Sequence, residues 1–273
     1  MSVRSSRFKR SLKCWARRLL ATASRGLRGA AGDRLSPGLR ILTYHRVSCE
    51  PEDPFAVLPA DFARQMEAIT ESQVAVGLDQ ALSELEADTE IASRIAITFD
   101  DGTVDFLSEV MPVVTRLGLP ATLYVNPSRV GTPGFLGWDN LLEVSAAGID
   151  IGSHCVDHRS LGSLRPDEVR RQVQDSRSIL EDRLGRRVTS LAYPFGTIRD
   201  FNARTREEVA LAGYRSACTS INGLNRRDAD LLELRRTKIE RGDGPIFSWI
   251  LAGSMDGWAF FDRYFSFLQN RYA

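Results

Sequence analysis

Apolar positions along this chain switch repeatedly between two rhythms. Short runs rich in aliphatic and aromatic residues, Leu39–Tyr44, Ile95–Phe99, Ala121–Val125 and Ile149–Gly152, have the length and composition of buried strands. Val74–Val76, Val188–Tyr193 and Tyr214–Cys218 read as shorter ones. Between the runs, apolar residues three and four apart predict helices over Asp61–Ser72, Leu78–Ala87, Thr103–Leu117, Trp138–Ala147, Pro166–Leu184 and Asn202–Ala212. Their punctuation is consistent. Asp61 is placed to cap the first, Pro166 to open the long one, and Gly118, Gly148 and Gly185 to close three of them. Pro112 should kink the helix that contains it. Regular alternation of strand and helix points to an α/β protein whose parallel sheet closes into a barrel, with chemistry at the carboxyl ends of the strands.

The two ends break this rhythm. Over residues 5–28, Phe8, Leu12, Trp15, Leu19 and Leu27 recur at helical spacing, and Lys and Arg cover the other faces. That is a basic amphipathic helix, suited to an anionic membrane surface, and its aromatic and leucine stripe favours lipid over nucleic acid. A Gly-rich stretch with Pro37 then reads as a linker, so residues 1–38 form an arm and 39–273 the barrel. Near the other end, Trp258, Phe261, Phe265 and Leu268 share a helical face that should pack on the barrel.

Charge sharpens the contrast. The 273 residues carry a net charge of +1, yet residues 1–40 hold eleven Lys and Arg against the single acid Asp33, which leaves the body acidic. Lys13, Arg17 and Arg18 interrupt the apolar positions before they reach the length of an export signal, and no stretch approaches a membrane span. The expected location is cytoplasmic, peripheral on the inner face of the cytoplasmic membrane. The four cysteines lack paired spacing and read as free thiols.

Candidate chemistry sits at two strand ends. Ile95-Ala96-Ile97 runs into Thr98-Phe99-Asp100-Asp101-Gly102, and Ile149-Asp150-Ile151 runs into Ser153-His154-Cys155-Val156-Asp157-His158. Adjacent carboxylates repel and need a cation or a shared proton nearby. A carboxylate with two of the chain's three histidines makes a divalent metal site with open positions. Cys155, between them, should point away.

Thr98–Gly102, then His154-x-x-x-His158, then Ala192-Tyr193-Pro194-Phe195-Gly196, in this order, resemble the polysaccharide deacetylase family, the NodB-homology carbohydrate esterases. The resemblance runs from about residue 39 to about 240. It implies a distorted (β/α) barrel of about seven strands and metal-dependent removal of an N-acetyl group from a sugar. Matched residue by residue, Asp101, His154 and His158 would hold one divalent metal, zinc or another transition metal. Asp100 would be the general base. The Phe195 N–H, beside Tyr193, would face the oxyanion.

Two family positions differ here. An arginine that pairs with the base is replaced by Ala192, and the late Leu-x-His that supplies an acid is absent, since no histidine follows His158. Tyr44-His45 and Trp138-Asp139-Asn140 resemble the branch containing poly-N-acetylglucosamine deacetylases, which would make His45 the acid, kept protonated near neutral pH, and Trp138 a pocket wall. Arg236 is the candidate for the missing arginine. The implied substrate is an N-acetylated or N-formylated amino sugar in a polysaccharide or lipid-linked glycan, as in exopolysaccharide or envelope assembly. A non-catalytic carbohydrate-binding protein on a decayed deacetylase fold is the alternative.

Overall fold

The computed structural model describes residues 15–26, 34–50, 53, 55–87 and 92–264. After a helix over residues 15–26 (α1), the chain forms β1 (Gly38–Tyr44), a small pair β2 (Arg46–Val47) and β3 (Ala56–Val57), then α2 (Pro59–Ser72) and α3 (Leu78–Glu86). Next come β4 (Ser93–Phe99), α4 (Met111–Arg116), β5 (Ala121–Val125), α5 (Trp138–Ala146), β6 (Asp150–Ser153) and α6 (Pro166–Leu184). The chain continues through β7 (Ser190–Ala192), α7 (Ala203–Leu211), β8 (Ser216–Cys218), β9 (Arg236–Lys238), α8 (Phe247–Leu251) and α9 (Ala259–Tyr264).

Seven parallel strands make one sheet in the order β8–β7–β6–β5–β4–β1–β9. It curls until a parallel bridge between Cys218 and Leu234 joins β8 to the chain entering β9. The result is a distorted, nearly closed barrel.

Strand alternation sorts the side chains into two cores. Leu39 and Ile41 of β1 cluster with Ala96, Tyr124, Ala192, Cys218 and Leu234, and Leu78, Ala81 and Leu82 of α3 join them as a plug. The plug lies at the amino ends of the strands, because Arg215 and Thr189, which precede β8 and β7, both reach Asp79. The other faces, with Leu42, Tyr44, Ile97, Phe99, Leu123 and Leu191, pack under the helices. Odd-numbered β1 positions and even-numbered β4 positions therefore aim inward, and continuing that alternation past each strand end carries His45 and Asp100 to the carboxyl mouth. Gly152 on β6 is a consequence of the filled interior: a Cβ there would lie 2.4 Å from the Tyr124 ring.

Local details depart from the sequence reading in four places. Pro59 opens α2 after Leu58, so Asp61 lies in the first turn and caps nothing. Val74–Val76 contributes only a single bridge, Ala75 to Ile95. The helix expected over Thr103–Leu117 begins as a wider π turn at Phe106–Val110, closed by Met111 N–H on the Phe106 carbonyl, and becomes α4 afterwards. Pro112 has no N–H to offer the Ser108 carbonyl, and the wider turn accommodates that loss. β9, only Arg-Thr-Lys, has no apolar pattern by which a strand could have been expected.

The arm is more closely tied to the barrel than its amphipathic pattern implied. Arg17, expected to meet lipid, is instead buried, with Nε 3.1 Å and Nη2 2.6 Å from the Asp243 carboxylate. Ala21 joins the outer core, while Trp15 and Leu19 remain exposed. Phe8, Leu12 and Leu27 lie outside the described residues, as do Phe265 and Leu268 of the late aromatic stripe. Within that stripe Trp258 packs on the outer core, but Phe261 is 43% exposed, contrary to the expected burial. Among the described residues, no helix is long and apolar enough to cross a membrane.

Candidate active site

Asp100 and Asp101 occupy the first two positions after β4 and turn opposite ways. Asp100 is buried, and its amide donates to the Tyr44 carbonyl at 3.0 Å, continuing the β4–β1 pairing for one more residue. Asp101 takes φ of 75°, a backbone region that costs a non-glycine residue energy unless its surroundings enforce it. The turn brings Asp101 to the two histidines. His154 Nε2 and His158 Nε2 each lie 3.7 Å from Asp101 Oδ1.

The loop bearing the histidines is fixed from both sides. Asn126, buried just past β5, donates its amide to the His154 and Cys155 carbonyls. The Gln172 main-chain carbonyl accepts from Val156 N–H at 3.2 Å, and its side chain accepts from Asp157 N–H at 3.1 Å. Cys155 points into the outer core, as expected, and burial pushes its thiol up. Asn126 carried no motif; its only sequence signal is a polar residue directly after a five-residue apolar strand.

These three side chains fit a metal ion. One donor atom from each lies within 4.8 Å of the others. Asp101 Oδ1 is buried without a hydrogen-bond partner among the described residues, which suits it to accept a cation. His154 Nδ1 is 2.7 Å from the Ala192 carbonyl, so it carries the proton and Nε2 presents a lone pair toward Asp101. Burial first, and then the neighbouring His154, push His158 down to about 4, which keeps its ring neutral and able to ligate.

Beside this set, Arg236 holds Asp100. The guanidinium, 0% exposed, donates from Nη1 to Oδ1 at 2.7 Å and from Nη2 to Oδ2 at 2.8 Å, and its Nε donates to the Thr219 carbonyl. Burial alone would raise the Asp100 pKa; the Arg236 charge and fork overcome it and hold the carboxyl well below its usual range. An arginine from β9 thus stands opposite Asp100 while Ala192 fills the position on β7. His45 Nε2 lies 3.9 Å from Asp100 Oδ2, and its ring packs 5.2 Å from Phe55. Burial lowers the His45 pKa and Asp100 opposes it less strongly, so the expectation of a ring kept protonated near neutral pH is corrected.

The remaining candidates divide. Phe195 turns the chain after Pro194 at φ of 61°, with its ring 4.4 Å from that of His158, so this residue borders the site. Tyr193 does not. By strand alternation it faces outward, stacked 4.9 Å from Phe201 and donating its hydroxyl to the Leu232 carbonyl. Trp138 is also displaced from the pocket wall expected of it: at the start of α5 its ring packs in the outer layer, 5.3 Å from the Arg183 guanidinium of α6.

Residues 87–217 match the family model for polysaccharide deacetylase. They form a polysaccharide deacetylase domain. Over 206 residues the chain is 26% identical to the Bacillus subtilis protein YxkH, named as a polysaccharide deacetylase, covering 75% of this chain and 72% of that one. The deacetylase PplD of Streptococcus pyogenes, solved in complex with acetate, superposes with a TM-score of 0.71 at 23% identity, over 78% of this chain and 99% of that one. IcaB from Ammonifex degensii gives 0.70 at 22% identity, over 80% and 99%. The chain therefore has the distorted (β/α) barrel of these structures, and the match of residues 87–217 to the polysaccharide deacetylase model makes its chemistry that of a hydrolase.

Proposed function

We propose that the deacetylase removes the N-acetyl group from an amino sugar in a glycan, using one divalent metal held by Asp101, His154 and His158. The Arg236 fork on Asp100, beside an orphaned Asp101 oxygen, carries this reading. It keeps a carboxylate ionised, and so able to accept a proton, directly beside the residues placed to hold the metal. A bound divalent cation would polarise water and the amide oxygen. Asp100 takes a proton from the attacking water as general base. His45, at the end of the neighbouring strand β1, is the group placed to give a proton to the leaving amine. Its lowered pKa makes it a stronger donor once protonated and a scarcer one at neutral pH. The Phe195 amide, at the rim, stabilises charge developing on the former carbonyl oxygen.

Zinc suits an Asp-His-His donor set with open positions. The substrate class is an N-acetylated or N-formylated polysaccharide or lipid-linked glycan. The test is acetate and formate release from a panel of such glycans, with metal content measured on the same sample. Acetate release by the wild type, lost together with bound metal in Asp101→Ala, is the expected result. Absence of release from every glycan by a metal-loaded wild type would favour a binding protein instead.

The same proposal places the protein at the inner face of an anionic membrane. Trp15 and Leu19 leave an exposed apolar edge on α1, and Phe260 and Phe261 expose another on α9. Residues 1–14, immediately before Trp15, include five Lys and Arg and no acid.

A further inference from the structure

Arg17 reaches a part of the chain more than 200 residues away and closes the turn that follows β9. Its Nη2 donates to the Lys238 carbonyl at 2.9 Å, and its Nε and Nη2 grip Asp243. Asp243 Oδ2 also accepts the Glu240 amide at 2.8 Å. Arg17 and Asp243 are each 2% exposed, so neither charge is solvated once the helix is docked. A buried pair of this kind is stable made and costly half-made, because removing one partner strands the other. Without Arg17, the buried Asp243 carboxylate would keep the Glu240 amide but lose its charged partner.

β9 is the strand whose exit this pair secures, and the pair is a buried ionic contact of the turn that follows it. The strand is three residues long and registers with β1 only at Ile41, Leu42 and Thr43. On its other side, the chain entering β9 meets the β8 end through the Cys218–Leu234 bridge, and Arg236 N–H donates to the Ile221 carbonyl at 2.9 Å; past the strand, Ile239 N–H meets the Thr43 carbonyl and Arg241 bonds the carbonyls of Ser48, Glu50 and Ala56. Yet β9 carries Arg236, whose fork aims Asp100. We infer that Arg17 is a positioning residue: by locking residues 238–243 it fixes the height and tilt of Arg236, so that docking of α1 is a condition for turnover. The N-terminal helix belongs to the catalytic unit and is not a separable anchor. Undocking it is a way to switch the enzyme off without touching the metal ligands.

The experiment uses the full chain as wild type, Arg17→Ala, Arg17→Lys and Thr22→Ala. Thr22 lies exposed on the same helix and its hydroxyl bonds the Arg18 carbonyl within that helix, away from residues 238–243, so it is the control. Two readouts are taken: acetate release from the N-acetylglucosamine pentamer, and amide hydrogen exchange followed by mass spectrometry. Arg17→Ala should lower kcat at least about tenfold with KM and bound metal retained, the scale expected when a catalytic group is slightly misplaced. Exchange should accelerate over residues 234–243 and not elsewhere in the barrel. Arg17→Lys should fall between, since a single ammonium cannot reproduce the fork, and Thr22→Ala should match the wild type. Wild-type kcat in Arg17→Ala overturns the inference. So does a loss that accompanies lost metal or faster exchange throughout the barrel, which would make the residue merely structural. A wild type inactive on the pentamer counts against the deacetylase reading, and the exchange comparison then decides the clamp alone.

Discussion

A single exchanged arginine shows how much chemistry depends on one side chain. Ala192 sits on β7 where an arginine was to be expected, and Arg236 supplies the guanidinium from β9, two strands from Asp100 in the sheet. The need for such a partner was legible in the sequence, because a buried Asp beside another Asp requires a cation; its source was less so, since β9 offers no pattern to fix which of Arg235 and Arg236 points inward. Arg236→Ala should leave Asp100 buried without a partner, costing about 3–5 kcal/mol in denaturant unfolding and on the order of 100-fold or more in acetate release. Arg236→Lys should recover part of the stability and little of the rate, because only the fork engages both oxygens. Stability unchanged in Arg236→Ala would mean that the pair contributes nothing. At the metal set, chelation should lower the melting temperature of the wild type, as for any ligand bound only by the folded state. Asp101→Ala should show no such response, and an equal shift in both would place the ion elsewhere.

At the scale of elements, legibility follows length. α6 appears at its expected bounds because Pro166 and Gly185 punctuate nineteen amphipathic residues between them. The longer strands are likewise found near their predicted bounds. β7 and β8 shrink to three residues each, and β9 was invisible, because a strand of that length is defined by its neighbours and not by its own composition. Trp138 and Tyr193 were misplaced for a related reason: a motif gives sequence neighbours, whereas the face a side chain takes depends on the register of the whole strand or helix. That register makes a prediction at β6. Gly152→Ala puts a methyl group against the Tyr124 ring, and the added carbon should cost about 1–3 kcal/mol of stability. A smaller residue at 124, in Gly152→Ala/Tyr124→Leu, should return part of it. Additive losses in the double variant would show that Tyr124 is not what excludes the side chain.

The whole molecule joins a catalytic barrel to a helix with two faces. Arg17 and Ala21 commit one face of α1 to the barrel, and Arg25 extends the contact with its guanidinium 4.8 Å from the Trp249 ring. Trp15, 60% exposed, and Leu19, 48% exposed, are left on the other, four residues apart and therefore on one stripe. An apolar edge this small gives a weak anchor alone, but basic residues near an anionic surface each add on the order of 1 kcal/mol. The two contributions can be separated. Trp15→Ser/Leu19→Ser in the full chain should lose flotation with vesicles containing anionic phospholipid while keeping acetate release from soluble N-acetylglucosamine oligomers. Raising salt should weaken flotation of the wild type, because exposed charges are screened within about 10 Å at 0.1 M. On neutral vesicles the wild type should remain unbound. Binding by the double variant equal to the wild type would remove Trp15 and Leu19 from the contact, and no binding by the wild type even at low salt would remove the membrane from the account of this helix, leaving its fixed role against β9.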